Sequence, residues 1–295
     1  MQKTEKTKIK ISHRIEYLLF YSLAVFIRIM PRAMAYFLGR KLGLAWAFVS
    51  RKRFATAFQN LTFAFPEYSD AQKRKVIYEC FQNLALSGVD LFRLDLYTKN
   101  DFETLFTIEG VENIEKYLQD KTSMIFMTAH LGFWESGAFA FSYFGIEANP
   151  VAKTIKNPLI NDFIIKQRTF MGNEIIDKKN GIRKMLKTIQ EKKSIAVLID
   201  QHVHKEEAVY VPFFGRNAYT SPVIINLAAK KSLPFVPIFC YRVPNNKFRI
   251  VIHPPVLFNE DGDSGATNTT VVNKIIEEAI RVHPEQWMWI HRRWR

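Results

Sequence analysis

"SMIFMTAHLGFWES", Ser123 to Ser136, is the stretch on which the reading of this chain turns. An apolar run climbs to Ala129 and stops at His130. Leu131, Gly132, Phe133 and Trp134 follow, and then Glu135. A short apolar run of this kind reads as a buried strand. Phe133–Phe144 reads as helical. In open α/β folds ligands collect at the carboxyl ends of strands, and His130 falls at such an end. The two side chains are five positions apart, so one regular helix face cannot align them. A turn must intervene, and Gly132 can make it. Glu135 then falls in the first turn of the next helix. From there it could accept the proton of one imidazole nitrogen and leave the other as a base. The expectation is a dyad that deprotonates a hydroxyl. The plain alternative is a structural histidine.

Outward from this stretch the pattern alternates. Asn157–Met171 and Gly181–Lys192 are helical, and Ser194–Ile199 is a second strand ending at Asp200. "SPVIINLAAKKS" is a helix. "PFVPIFCYRV" and "KFRIVIHPP" are strands joined by "PNN". "NEDGDSGATN" is an acidic loop, and "TTVVNKIIEEAIRVHPEQWMWIHRRWR" is a long helix, a proline break and an aromatic-basic tail. Upstream, "RKRFATAFQNLTFAF" repeats Phe at helical spacing and stops at Pro66. The next helix takes Ser69 or Asp70 as its N-cap. Strands alternating with helices predict an α/β fold, with a central mostly parallel or mixed sheet flanked by helices.

Several chemistries are disfavoured. There is no G-x-S-x-G elbow, no phosphate loop and no Gly-rich dinucleotide fingerprint. His202 and His204, near Glu206 and Glu207, form a weak metal candidate, and the expectation is no metal and no cofactor. Cys80 and Cys240 stand far apart in apolar surroundings and fit neither a disulfide framework nor a metal knuckle. A reducing location is the simple reading. Asp200 and Gln201 follow a strand, where polar groups meet ligand or merely cap the strand end.

The 295 residues carry a net charge of +14 and include 25 Phe, which turns the expected anionic partner from nucleic acid towards a lipid surface. Near the start, Tyr17–Ile27 is apolar apart from Ser22 and is interrupted beyond by Arg28, Arg32, Arg40 and Lys41. Three readings stay open. One is a secretory signal with "AMA" at Ala33–Ala35 as its cleavage site, against which Arg28 and Arg32 argue. The others are a buried helix and a membrane-surface anchor. We favour the anchor, over residues 1–50, with the N-terminus on the cytoplasmic side.

Taken together, these blocks resemble the bacterial late acyltransferases of lipid A biosynthesis, the lauroyl/myristoyl acyltransferase family, which is related to the glycerolipid acyltransferases. The resemblance runs through "RKRFATAFQNLTFAFPE", "TAHLGFWE", "NPLINDFIIKQR", "LIDQHV", "VPFFGRNAYTSP" and "HPEQWMWIHRRW". It implies an acyltransferase domain over 51–295 at the cytoplasmic face of the inner membrane. It also implies acyl carrier protein as donor and a lipid acceptor, with His130 as base and Glu135 as its partner. Arg168 matches an arginine of the family's third block and would clamp an anion, with Arg183 a weaker candidate. Phe213, Phe214 and Gly215 would wall the acyl chain or be plain core, and Arg292 and Arg293 could reach headgroups or form a solvated C-terminal charge cluster. The same resemblance leaves a phosphatidylinositol mannoside or a lysophospholipid as alternative acceptors. A nucleic-acid-binding protein would need a recognised binding motif, which is missing, and would leave the apolar N-terminal segment without a role.

Overall fold

The computed structural model describes residues 9–143, 145–259 and 264–294. The chain opens with four helices: α1 (Ile11–Ile29), α2 (Arg32–Val49), α3 (Arg51–Ala64) and α4 (Asp70–Phe92). Pro31 breaks α1 from α2, since proline fixes φ and lacks an N–H. The end of α1 is tied down by Arg93, whose Nη1 donates to the carbonyls of Ile27, Arg28 and Met30 at 2.8, 3.0 and 2.8 Å. Ser69 is the N-cap of α4 and forms a capping box with Gln72. α2 lies close along α4. A Cβ on Gly43 would stand 2.6 Å from the Gln82 Cα, so only glycine lets these backbones approach.

The rest follows as α5 (Lys99–Leu105), β1 (Phe106–Glu109), α6 (Glu115–Gln119), β2 (Ile125–Thr128), α7 (Gly137–Tyr143), β3 (Ala148–Ala152), α8 (Pro158–Thr169), β4 (Ile176–Asp177), α9 (Gly181–Gln190) and β5 (Ser194–Leu198). Then come β6 (Val209–Phe213), β7 (Arg216–Thr220), α10 (Val223–Lys230), β8 (Phe235–Val243), β9 (Lys247–Ile252) and α11 (Ser264–Val282). Seven strands form one sheet in the order β1-β9-β8-β2-β5-β3-β4, and β6 and β7 make a separate antiparallel hairpin. Among the described residues, the β8–β9 pair of the large sheet is antiparallel and its other pairs are parallel. The sheet is therefore mixed. Cores on its two faces are built around Ile125, Met127 and Phe239 on one side and Phe126, Val236 and Phe248 on the other, as the alternation of strand side chains requires.

Some elements differ from expectation. The helix expected over 133–144 begins as a short 3₁₀ turn, Trp134–Ser136, before α7, and position 144 lies outside the described residues. The acidic loop overlaps 260–263, also outside them, and α11 already starts at Ser264. Among the described residues no helix is long and apolar enough to cross a membrane. α1 and α2 nonetheless expose large apolar side chains, including Leu18, Leu19, Phe37 and Phe48, each about two-thirds exposed or slightly more.

Candidate active site

β2 and β5 are parallel neighbours in register, with Thr128 opposite Leu198. Their carboxyl ends therefore emerge side by side, and two residues further on stand His130 and Asp200. The turn after β2 needs glycine. Gly132 has φ +59°, and a Cβ there would lie 2.0 Å from the Cys240 carbonyl oxygen. Its backbone is pinned on all sides. Gly132 N donates to Gln286 O at 3.1 Å and Phe133 N to Cys240 O at 2.9 Å. Ser87 Oγ donates to Gly132 O at 2.9 Å, and Met288 N to His130 O at 3.0 Å. A turn so restrained holds the imidazole in a defined place.

The partner of that imidazole is Asp200. His130 Nδ1 lies 2.8 Å from Asp200 Oδ1, and the backbone N of His130 donates to Oδ2 at 2.9 Å. The Trp287 indole Nε1 donates to the same Oδ2 at 2.8 Å. Burial alone would push the Asp200 carboxyl up. The His130 charge and these hydrogen bonds outweigh it and bring the group down to about 2. An ionised Asp200 accepts from Nδ1, which leaves Nε2 as the basic nitrogen. The Gln201 side-chain nitrogen is 3.2 Å from that Nε2.

Glu135 does not fill the role expected of it. Its carboxylate is gripped by Arg168, with Nε to Oε2 at 2.8 Å and Nη2 to Oε1 at 2.6 Å, and it accepts from Trp134 Nε1 at 3.2 Å. Burial raises the Glu135 pKa, but the Arg168 guanidinium more than offsets this and the group is held below the usual carboxylate range. Arg168 is likewise committed to Glu135 through two of its nitrogens, and only Nη1 lies outside this fork. The reason Glu135 misses His130 is local. The 3₁₀ turn begins at Trp134, and the carboxylate meets α8 rather than the histidine turn.

Most of these groups, though not Asp200 itself, border one cavity of about 1210 Å³. Its inner wall is apolar: Phe126, Ala140, Phe141, Ala148, Ala196, Ile238 and Ile250. His130, Glu135, Arg168 and Gln201 also line it. Exposed Lys153, Lys178, Lys179, Arg183 and Lys184 form a basic rim. Arg183 thus stands at the exposed edge of the cavity. Phe213, Phe214 and Gly215 are not among the lining residues. Phe213 and Phe214 are buried against Trp287, Trp289 and Trp294, and Gly215, at φ +69°, helps turn the β6–β7 hairpin. They pack the core behind Trp287.

Arg293 is also buried, not at a lipid headgroup. It donates to Tyr219 O and Thr220 Oγ1 at 2.6 Å and sits over the Phe213 ring. Arg292 is exposed. His202 lines the cavity, and its backbone N donates to His291 Nε2 at 3.1 Å. Among the described residues no group of three His, Cys, Asp or Glu could hold a metal ion. Cys80 and Cys240 are both free and buried, and burial pushes each thiol up to about 12. Trp287 and Gln286 had no assigned role in the sequence. The dense Trp and polar residues of "HPEQWMW" were the signal.

The family model described as "Bacterial lipid A biosynthesis acyltransferase" matches residues 4–295. The chain is 26% identical over 271 residues to "Lipid A biosynthesis lauroyltransferase" of Escherichia coli (strain K12), covering 90% of this chain and 87% of that protein. It is 24% identical over 251 residues to a "Lipid A biosynthesis acyltransferase" of Haemophilus influenzae (strain ATCC 51907 / DSM 11121 / KW20 / Rd), covering 85% and 78%. Among solved structures, the 1-acyl-sn-glycerophosphate (LPA) acyltransferase PlsC from Thermotoga maritima aligns with a TM-score of 0.40 at 14% identity, covering 84% of this chain and 99% of that one. With a match running over nearly its whole length, the chain belongs to the bacterial lipid A biosynthesis acyltransferase family and is an O-acyltransferase of that pathway.

Proposed function

We propose that this enzyme moves a fatty acyl group from an acyl carrier protein thioester to a hydroxyl of a lipid A precursor, with His130 as general base. The observation that carries this reading is the position of His130. It borders a cavity that is apolar within and basic at its rim, and its Nδ1 is already engaged. His130 Nε2 takes the proton of the acceptor hydroxyl as the oxygen attacks the thioester carbonyl. The tetrahedral intermediate collapses, the thiolate leaves, and the imidazolium returns the proton to it. A thiolate is a good leaving group, so a positioned base suffices. The apolar wall suits the acyl chain. Lys153, Lys178, Lys179, Arg183 and Lys184 suit the phosphates of the acceptor, as does the Nη1 edge of Arg168. The family match favours lipid A over a mannoside or a lysophospholipid as acceptor.

The N-terminal 50 residues are our membrane-contacting segment, with 51–295 the catalytic body. The exposed apolar side chains of α1 and α2 support contact with a membrane surface, which we assign to the cytoplasmic face of the inner membrane. A lipid disaccharide and a protein-borne thioester meet most readily at such a surface.

The donor assignment is tested by comparing acyl carrier protein and coenzyme A thioesters of the same chain in neutral detergent micelles. Charge steering by a +14 chain predicts a higher kcat/KM for the carrier protein at low salt, with part of that gain lost as salt rises. Equal kcat/KM values for both donors across the salt series would overturn the donor assignment.

A further inference from the structure

The segment "HPEQWMW" is a strong sequence block that the reaction above leaves without a task, and it lies against the base. Trp287 forms an isolated antiparallel bridge with Leu131, the residue after His130. Its neighbours lock the same turn: Gln286 O accepts from Gly132 N, and Met288 N donates to His130 O. The Trp287 carbonyl accepts from Cys80 Sγ at 3.1 Å. The ring is 1% exposed. It is wedged between Phe213, at 5.7 Å, and Trp289, edge-on at 4.6 Å. The indole therefore has one accessible orientation, and in it the N–H points at Asp200 Oδ2.

Asp200 depends on that donor. It is 1% exposed, so no bulk water can stand in. Its Oδ1 serves His130 Nδ1. Its Oδ2 has two donors, the His130 backbone N and the Trp287 indole. Without the indole, one backbone N–H would fix the carboxylate plane, and a buried anion would lose a charge-assisted bond.

We propose that Trp287 is a positioning residue that acts through Asp200. Its N–H fixes the carboxylate plane, which in turn keeps the His130 ring oriented with Nε2 facing the acceptor hydroxyl. This rests on His130 being the base.

The test uses the full chain in detergent with a lauroyl-acyl carrier protein donor and a lipid A precursor. Trp287→Phe keeps an aromatic ring and removes the donor. A hydrogen bond to a charged group is worth enough to predict a kcat lower by roughly 10- to 100-fold, with KM within about twofold. Trp289→Phe removes an equally buried indole whose N–H goes instead to Pro284 O, and its kcat is expected to stay within about threefold of wild type. In an Asp200→Asn background, Trp287→Phe should cost nothing further, because the relay is already broken. If Trp287→Phe does not fold, site-specific 3-benzothienylalanine at 287 replaces the N–H by sulfur at nearly constant shape and carries the same expectation. Wild-type kcat in a folded Trp287 variant, or an undiminished loss in the Asp200→Asn background, overturns the proposal. His130→Ala separates the two readings. An active, folded His130→Ala would remove the base itself, whereas an inactive one beside a fully active Trp287→Phe would remove only the role of Trp287.

Discussion

His130 Nδ1 and Asp200 Oδ1 are 2.8 Å apart although 70 positions separate them in the chain, while Glu135, five positions from His130, is paired with Arg168. The pairing divides two carboxylates between two tasks. Asp200 orients the imidazole, and Glu135 fixes a guanidinium at the cavity wall. We expect His130→Ala to abolish transfer and Asp200→Asn to lower kcat by about 10²–10⁴-fold, the usual contribution of general base catalysis. Glu135→Gln should also cost activity, but through Arg168, which it leaves as a half-buried cation without its counter-ion. The double variant Glu135→Gln/Arg168→Gln should therefore lose less than the product of the two single losses. Kinetics on the purified variants, with the Arg168→Gln single included, check these expectations. A Glu135→Gln loss equal to that of His130→Ala, with Asp200→Asn near wild type, would return the partnership to Glu135.

The histidine turn was legible because all its parts are adjacent: the apolar strand, Gly132 and His130. Asp200 was legible only as a polar group at a strand end. Its partnership depends on β5 lying next to β2, and strand order is a property of the whole sheet that no local pattern records. β4 has two residues, and β3, "ANPVA", carries a proline, so neither announced itself as a strand. The β6–β7 hairpin hid for another reason. Its turn places Phe214 at φ +52°, a region that bulky residues rarely enter. The aromatic pair read as a binding wall or as plain core, and the structure uses it as core. Arg293 misled, since a terminal basic cluster reads as solvated until Tyr219 and Thr220 are folded over it.

Asp90 and Arg242 form a buried ion pair at 2.7 Å, with Asp90 fully buried and Arg242 6% exposed. Tyr36 and Tyr97 donate their hydroxyls to the same Asp90 Oδ1. The cluster ties α2 and α4 to β8. Asp90→Ala leaves a buried guanidinium unpaired, and the expected cost is about 3–5 kcal/mol. Thermal unfolding measures it. A melting temperature within a degree or two of wild type would mean that the pair is dispensable.

Asp200 also sets an acid limit. Its carboxyl is held down to about 2, well below the ordinary aspartate range, by His130 and its hydrogen bonds. A depressed carboxylate contributes stability that is present above the unfolded pKa and is lost as pH falls through the folded one. Urea unfolding across pH 5 to 2 should therefore show stability falling from about pH 4 downwards. Asp200→Asn should flatten this part of the curve. An unchanged slope in the variant would assign the acid limit to other groups.

The exposed apolar side chains of α1 and α2 predict surface binding. Replacing Leu18, Leu19 and Phe37 together by serine removes apolar area worth roughly 25 cal/mol per Å² from the contact. Sedimentation with vesicles of mixed neutral and anionic lipid should then show binding weaker by at least about tenfold. The melting temperature should hold, because these side chains are already exposed in the fold. Unchanged sedimentation would leave membrane contact to the basic rim alone.

Acyl-chain selection should lie in the apolar wall of the cavity. Ala196 sits mid-strand on β5, directly opposite Phe126 of β2, and both border the cavity with Ile238 and Ile250. Ala196 is only partly buried, and it lines the cavity while packing beside the core around Phe126 and Ile250. Ala196→Leu would extend three carbons into the cavity. In a hydrophobic pocket, one methylene too many costs about 10- to 200-fold in kcat/KM. The variant should therefore keep activity with short donors and lose it progressively with long ones, which moves the preferred chain down by two carbons or more. The substitution enters a cavity lining that also packs on the core, so an overpacking cost of about 1–3 kcal/mol is the upper bound, and thermal unfolding of the variant checks that it stays folded. The measurement is kcat/KM for a carrier-protein donor series from decanoyl to palmitoyl, wild type against variant. A uniform loss across the series would mean that the chain lies elsewhere and that Ala196 merely shapes the sheet.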